Sequence, residues 1–141
     1  MKTTHSRSAL YLAWMQEVPA HLQNLDGIKY QLAAAACVVT HLELRGCGWS
    51  FVPTTPGSEE DRRGIDGYLK SGGTRIPVDF SLESEHNPAG HKKDAVWLVH
   101  MRRDWFAPAA DGTVQVVPSC ETHLFRSFLP VLQAGMSLMS A

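Results

Sequence analysis

Apolar residues recur every three or four positions in two segments of the N-terminal third of the chain. Residues 8–18 carry one such apolar face and predict a short helix. A second segment begins at Asp26, a candidate N-cap, passes through the alanine-rich run at 32–36 and reaches Leu44, and Gly46 follows where a helix end is expected. The pattern therefore predicts two helices, the second long enough to pack centrally on a sheet.

After Gly46 the pattern changes to short apolar or alternating runs bounded by polar loops, which predict strands. The clearest pair flanks Ser71-Gly72-Gly73-Thr74, because glycines in a short connection supply the positive φ angles that a tight hairpin turn needs. The run at 95–99 is nearly continuously apolar, which is typical of a strand covered on both faces. The predicted strands span residues 48–52, 65–70, 75–82, 95–99 and 114–117.

The last segment predicts a closing helix, with Ser119 as its cap and with Pro130 shortening or bending it before Leu132. The order helix, helix, strand, two-stranded hairpin, strand, strand, helix predicts an α/β fold of the α+β sandwich type. We expect a central mixed sheet of about four to five strands, with the hairpin carrying the functional site and helices flanking the sheet. No repeat or linker divides residues 1–141, so a single domain is predicted.

The hairpin brings two carboxylates together. A turn centred on Gly72-Gly73 sets a register in which Asp66 pairs with Asp79, and directly opposed residues share a face with Cβ atoms about 4.5–5.5 Å apart. Two carboxylates at that distance repel each other unless solvent or a cation intervenes, and a hard divalent cation such as Mg²⁺ prefers oxygen ligands. The hairpin therefore predicts a metal site at Asp66 and Asp79. The alternative is that both aspartates lie on the exposed face of an ordinary sheet.

Composition and charge narrow the functional classes. The 44% hydrophobic and 19% charged residues exclude general disorder, and a formal net charge of -1 gives no overall attraction to nucleic acid. A nucleic-acid interface would need local clusters, for which the doublets Arg62-Arg63 and Lys92-Lys93 are candidates, with solvated loops as the alternative. The three cysteines are too scattered for a disulfide framework or a zinc site, and no signal or membrane span is visible. A cytoplasmic protein without a membrane partner is predicted.

Three stretches of the chain resemble the core of the restriction-endonuclease-like, or PD-(D/E)XK, nucleases. They are Leu42-Glu43-Leu44-Arg45-Gly46, Gly64-Ile65-Asp66-Gly67-Tyr68-Leu69 and Ile76-Pro77-Val78-Asp79-Phe80-Ser81. In that family a helix ending near a glycine leads through a strand and a loop to an aspartate. The next strand then carries an acidic residue, a variable position and a lysine. The resemblance covers residues 32–82, about a third of the chain.

By that resemblance, Asp66 and Asp79 would hold Mg²⁺ or Mn²⁺, which would polarise a DNA phosphodiester and help generate the attacking hydroxide. The resemblance implies a magnesium-dependent endonuclease or phosphodiesterase that binds DNA. It also implies a homodimer, since nucleases of this kind are often dimers.

The sequence departs from the family at the motif lysine, which is replaced by Ser81. Serine cannot supply the positive charge that stabilises the transition state. Lys70, which alternates onto the face of Asp66, and the Lys92-Lys93 pair are the candidate cationic groups. A second hypothesis is therefore a catalytically inactive member of the same fold that binds nucleic acid or a protein partner. A third is a fold unrelated to nucleases, with the hairpin as an ordinary sheet element.

Overall fold

The computed structural model describes residues 6–44, 48–55, 58–59, 65–82, 92–93 and 96–140. The helices in these residues are α1 (Arg7–Gln16), α2 (Asp26–Leu44) and α3 (Glu121–Ser140), with short 3-10 turns at Ala20–Leu22, Arg103–Trp105 and Pro118–Cys120. The strands are β1 (Ser50–Pro53), β2 (Gly67–Ser71), β3 (Thr74–Ser81), β4 (Lys92–Lys93), β5 (Val96–His100), β6 (Phe106–Pro108) and β7 (Val114–Val116).

The main sheet is mixed and has the strand order β1-β2-β3-β5-β4. Strands β1, β2 and β3 are antiparallel neighbours, β5 runs parallel to β3, and β4 runs antiparallel to β5. The α+β architecture with a central mixed sheet of four to five strands is thus confirmed. Strands β6 and β7 form a separate two-stranded antiparallel sheet.

The register predicted for the hairpin is confirmed from the turn as far as Gly67 and Val78. Ser71 pairs with Thr74, Lys70 with Arg75, and the pairing continues to Gly67 and Val78. Gly72 has a φ of 59°, so the turn uses the left-handed conformation that glycine adopts without strain.

The core lies on one face of the sheet, beneath α2 and α3. Residues 32–39 of α2 are at most 4% exposed, so this helix is buried on every side, as expected for a central helix. Helix α2 packs against α1, β1, β7 and α3, whereas α3 packs against β3 and β5. The sheet and α3 contribute the buried residues Phe51, Leu69, Ile76, Val78, Val99, Leu124, Phe128 and Val131.

Contacts between distant parts of the chain hold the N-terminal helix and the small sheet in place. The guanidinium of Arg7 on α1 donates to the carboxylate of Glu121 on α3 at 2.8 Å. Tyr30 of α2 stacks on Phe106 of β6, with ring centroids 4.7 Å apart. The small sheet therefore packs on α2.

The C-terminal part of the chain differs from the prediction. Helix α3 continues through Pro130 to Ser140 instead of ending near Leu132, and Ser119 lies in the preceding 3-10 turn. Proline removes one intrahelical donor, but burial of neighbouring residues such as Phe128 and Val131, each 0% exposed, stabilises the helix across it. Strand β6 was not predicted, because its pairing with β7 is a tertiary contact that local patterning does not encode.

Candidate functional site

Asp66 lies directly before β2 and is held against β3 by two hydrogen bonds. Its backbone N–H donates to the carbonyl of Val78 at 2.8 Å. Its carboxylate oxygen Oδ2 accepts from the backbone N–H of Phe80, also at 2.8 Å. The neighbouring Gly67 pairs with Val78 as well, so two consecutive residues of one strand face one residue of the other, which is the arrangement of a β-bulge. Asp66 is therefore fixed to the residues on either side of Asp79.

This geometry corrects one detail of the predicted pair. Asp66 and Asp79 are not partners in the ladder, which ends at Gly67 and Val78. The bulge turns the carboxylate of Asp66 towards the Phe80 N–H at the end of β2, where β3 extends beyond its partner strand. Bulges re-aim side chains in this way at the ends of pairing. The two aspartates remain neighbours, but through the bulge and not through direct opposition.

Asp79 lies on the face of β3 that points away from the main core. Val78 is fully buried, whereas Asp79 is half-buried, as the alternation of a strand requires. In the parallel register Asp79 pairs with Leu98 of β5, which is 8% exposed, whereas Val52 of β1 on this same face is 44% exposed. This face of the sheet is thus exposed to solvent at β1 and buried at β5. Asp79 lies at the boundary between the exposed and the buried part. We call this face the outer face.

Lys70 also lies on the outer face, but far from the aspartates. It pairs with Arg75, and Asp79 lies four positions beyond Arg75 on β3, a distance of about 13 Å along the strand. The structure therefore does not bring Lys70 into the position of a motif lysine beside Asp79.

The other predicted basic residues divide into two groups. Arg62 and Arg63 lie outside the described residues. The backbone of Lys92 and Lys93 forms β4 at the sheet edge, with Lys92 paired to Trp97 and Lys93 to Val96. Because β4 is two strand spacings from β3, its backbone lies about 10 Å from that of β3.

His100 is a candidate site residue that the sequence interpretation did not include. It ends β5 and is the parallel partner of Ser81, the residue at the motif lysine position. Paired residues of neighbouring strands share a face, so the imidazole lies on the outer face beside Ser81, and it is 4% exposed. A polar residue ending an apolar strand was the only local signal. Its position beside Ser81 depends on the pairing of β5 with β3.

Two other places in the molecule are weaker candidates for a functional site, the thiol of Cys37 and a surface groove. Burial raises the pKa of the Cys37 thiol to about 11, so the thiolate that a nucleophile or metal ligand needs is scarce at neutral pH. A surface groove of about 380 Å³ contains Arg7, which is already paired with Glu121. Its other lining residues are Ala107, Pro108, Ala109, Gln115, Val116, Val117 and Pro118.

Within the part of the chain that the structure describes, no group of three or more histidine, cysteine or acidic side chains is arranged to hold a metal ion. The candidate site there consists of two carboxylates. In the same described residues, no helix combines the length and apolar character needed to cross a membrane. Comparisons with protein-family models, curated proteins and solved structures find no match for this chain.

Proposed function

We propose that the chain is a metal-dependent nuclease, or a domain derived from one, that acts on DNA phosphodiesters. The observation that carries the proposal is the bulge, which fixes Asp66 to Val78 and Phe80 and so sets its carboxylate beside the residue carrying the second one, Asp79. The order of elements supports the proposal. Helix α2 is followed by β1, Asp66 comes directly before β2, and Asp79 lies on β3. The proposal includes DNA as partner, a homodimer and a cytoplasmic location.

The two aspartates fit a hard divalent cation, Mg²⁺ or Mn²⁺. A carboxylate has about four lone-pair sites, so one that accepts a hydrogen bond can also be a ligand to a cation. Magnesium keeps several waters and is often bound by one or two carboxylates together with substrate phosphate, so two aspartates are sufficient. Both side chains are half-buried, which leaves them accessible to a ligand arriving on the outer face.

In this proposal some residues of the chain bind the cation and the substrate, and others orient these ligands. When bound, the cation would act as a Lewis acid on the phosphodiester. The hydrogen bond from Phe80 restricts the rotation of the Asp66 carboxylate, so this ligand is oriented before any cation binds. Two residues from Asp79 on the same face, the hydroxyl of Ser81 is able to hydrogen bond to water or to a phosphate oxygen, and the imidazole of His100 is buried beside it. The Lys92-Lys93 pair stays part of the proposal as a DNA contact, with its backbone in β4.

A second candidate function, a catalytically inactive module of the same fold that binds DNA or a protein, is favoured by one observation. The position of the motif lysine is occupied by Ser81, and Lys70 lies about 13 Å along the sheet from Asp79. A neutral hydroxyl does not replace the electrostatic stabilisation of an ammonium group. Such a protein would keep the binding surface without cleaving DNA.

The test is cleavage of plasmid and branched DNA with Mg²⁺ or Mn²⁺, comparing the wild type with Asp79→Asn. Asp104→Asn is the matched control, because Asp104 is an exposed aspartate paired only with Arg102, at 3.5 Å, among the ion pairs of the described residues. The nuclease proposal predicts cleavage that Asp79→Asn abolishes and Asp104→Asn preserves. The nuclease proposal would be contradicted if neither the wild type nor the variants cleave DNA and calorimetry shows no binding of divalent ions. Metal-independent DNA or protein binding would then favour the inactive module.

A further inference from the structure

Three polar residues form a row across the outer face at the turn end of the hairpin. Ser50 of β1 pairs with Lys70 of β2, which in turn pairs with Arg75 of β3. Directly paired residues of antiparallel strands point to the same face, so a serine, a lysine and an arginine lie side by side on the outer face. We call Ser50, Lys70 and Arg75 the basic row. Ser50 and Arg75 are exposed, and Lys70 is half-buried.

The basic row places two like charges directly opposite each other, which destabilises an antiparallel pair by a few tenths of a kcal/mol to about 1 kcal/mol. Neither cation is neutralised within the described residues, where the ion pairs are Arg7 with Glu121, Arg102 with Asp104, and Arg103 with Asp26. Among the described residues no acid offsets this charge, so the row suits a negatively charged ligand.

Arg75 also contacts an aromatic ring on the same face. Its guanidinium carbon lies 4.4 Å from the centre of the Tyr68 ring, which is next along the same face. Such a cation–π contact, worth about 0.5–1 kcal/mol at an exposed site, favours one position of the group without neutralising its charge. The guanidinium keeps the fork of N–H donors that binds a phosphate by two hydrogen bonds, and its partly fixed side chain loses less entropy on binding.

The outer face leads from the basic row to the aspartates. Between them lies a second row made by Val52, Tyr68 and Pro77, which carries no formal charge. The distance from Arg75 to Asp79 along β3 is about 13 Å, which exceeds the rise of about 3.4 Å per nucleotide of a DNA strand. The basic row is thus too far away to contact a phosphate held at Asp79, but it is placed for another phosphate of the same strand.

We propose that the basic row is a backbone-phosphate site that anchors the DNA strand whose reacting phosphodiester lies at Asp66 and Asp79. The inference rests on the proposed function and adds the path of the substrate, which runs along β2 and β3 on the outer face. Lys70 serves in binding, as a contact to a phosphate distant from the reacting one. Ser50 adds a neutral donor to the same phosphate, as hydroxyl groups do in DNA complexes.

The test is the salt dependence of binding to a short branched DNA duplex, measured with EDTA present so that no metal contributes. The variants are Lys70→Gln, Arg75→Gln and the double substitution. Each lost phosphate contact lowers the slope of log K against log salt by about 0.7–0.9, and the double variant is expected to bind about tenfold more weakly at low salt. Arg75→Lys keeps the charge and should keep most of the slope.

The matched control is Arg126→Gln. Arg126 is exposed on α3, the helix that packs against the opposite face of the sheet through Phe128. This variant should retain the wild-type slope, and circular dichroism establishes that every variant is folded. An unchanged slope in the double variant, an equal loss in Arg126→Gln, or no DNA binding by the wild type would overturn the inference. If the slopes change but the wild type cleaves no DNA, the backbone-phosphate site would be supported and the nuclease proposal contradicted.

Discussion

The carboxylate of Asp66 accepts a hydrogen bond from the backbone N–H of Phe80 at 2.8 Å, across the end of the hairpin. The carboxylate thus replaces the backbone carbonyl that would accept this hydrogen bond if β2 continued alongside β3. The aspartate therefore has a structural contribution that is separable from any role in metal binding. Asp79 makes no comparable side-chain hydrogen bond among the described residues, so the two carboxylates are expected to respond differently to substitution.

Replacing Asp66 by alanine is expected to lower the free energy of unfolding by about 1–2 kcal/mol, because the partly buried Phe80 N–H loses its acceptor. Asp66→Asn retains a carbonyl oxygen and should lose less. Urea unfolding measures both, with Asp79→Ala as the control that should stay close to the wild type. Calorimetry with Mg²⁺ should show weaker binding in all three variants. Equal stability of Asp66→Ala and Asp79→Ala would contradict the structural role of Asp66.

Introducing the motif lysine at position 81 is expected to increase cleavage of DNA. Ser81→Lys places an ammonium group two residues from Asp79 on the same face, where it stabilises charge in the transition state. Removal of one such electrostatic group in other enzymes reduces rates by a factor of about 100 or more, so a gain of at least about tenfold is reasonable. Ser81→Met, of similar length and without charge, is the control. Equal rates for the two variants would exclude an electrostatic effect.

Gly67→Ala is expected to destabilise the hairpin. A Cβ at this position would lie 2.7 Å from Cε1 of Phe51 and 2.9 Å from the Val52 carbonyl oxygen, and the backbone atom cannot move aside easily. Overpacking of this kind costs about 1–3 kcal/mol or more. Gly73→Ala is the matched control, since a Cβ there meets nothing within 4 Å. Thermal unfolding that gives both variants the same midpoint would contradict the close packing of β1 against β2.

Asp111 is expected to titrate well below an ordinary aspartate. Hydrogen bonds from the Ser8 hydroxyl, then from the hydroxyl and N–H of Thr113, lower the pKa of its carboxyl from 3.8 to about 2. Because the folded-state pKa is the lower one, the stabilisation is complete above the unfolded-state value and disappears as pH falls through about 2. An NMR titration gives the pKa directly. The stability difference between wild type and Asp111→Asn should shrink over this acidic range, and a midpoint near 3.8 would contradict the prediction.

Elements governed by local pattern were predicted closely. Helix α2 begins at Asp26 and ends at Leu44 as expected, since its apolar periodicity continues through a run of strong helix formers. Strand β5 was expected to be covered on both faces, and four of its residues, Val96, Leu98, Val99 and His100, are at most 8% exposed. The extension of α3 past Pro130 was missed, because a proline in a helix is tolerated only when tertiary packing compensates for it.

The sequence by itself determined the hairpin: its turn glycines and the two-residue period of its strands set the register of Ser71 with Thr74 through Gly67 with Val78. It also placed Asp66 and Asp79 near each other. Only the tertiary structure decided how Asp66 is oriented, because the bulge at this residue depends on where β2 stops pairing with β3. The position of His100 beside Ser81 likewise depends on parallel pairing across a long connection. Such pairing is fixed by the packing of the whole core and not by any local pattern.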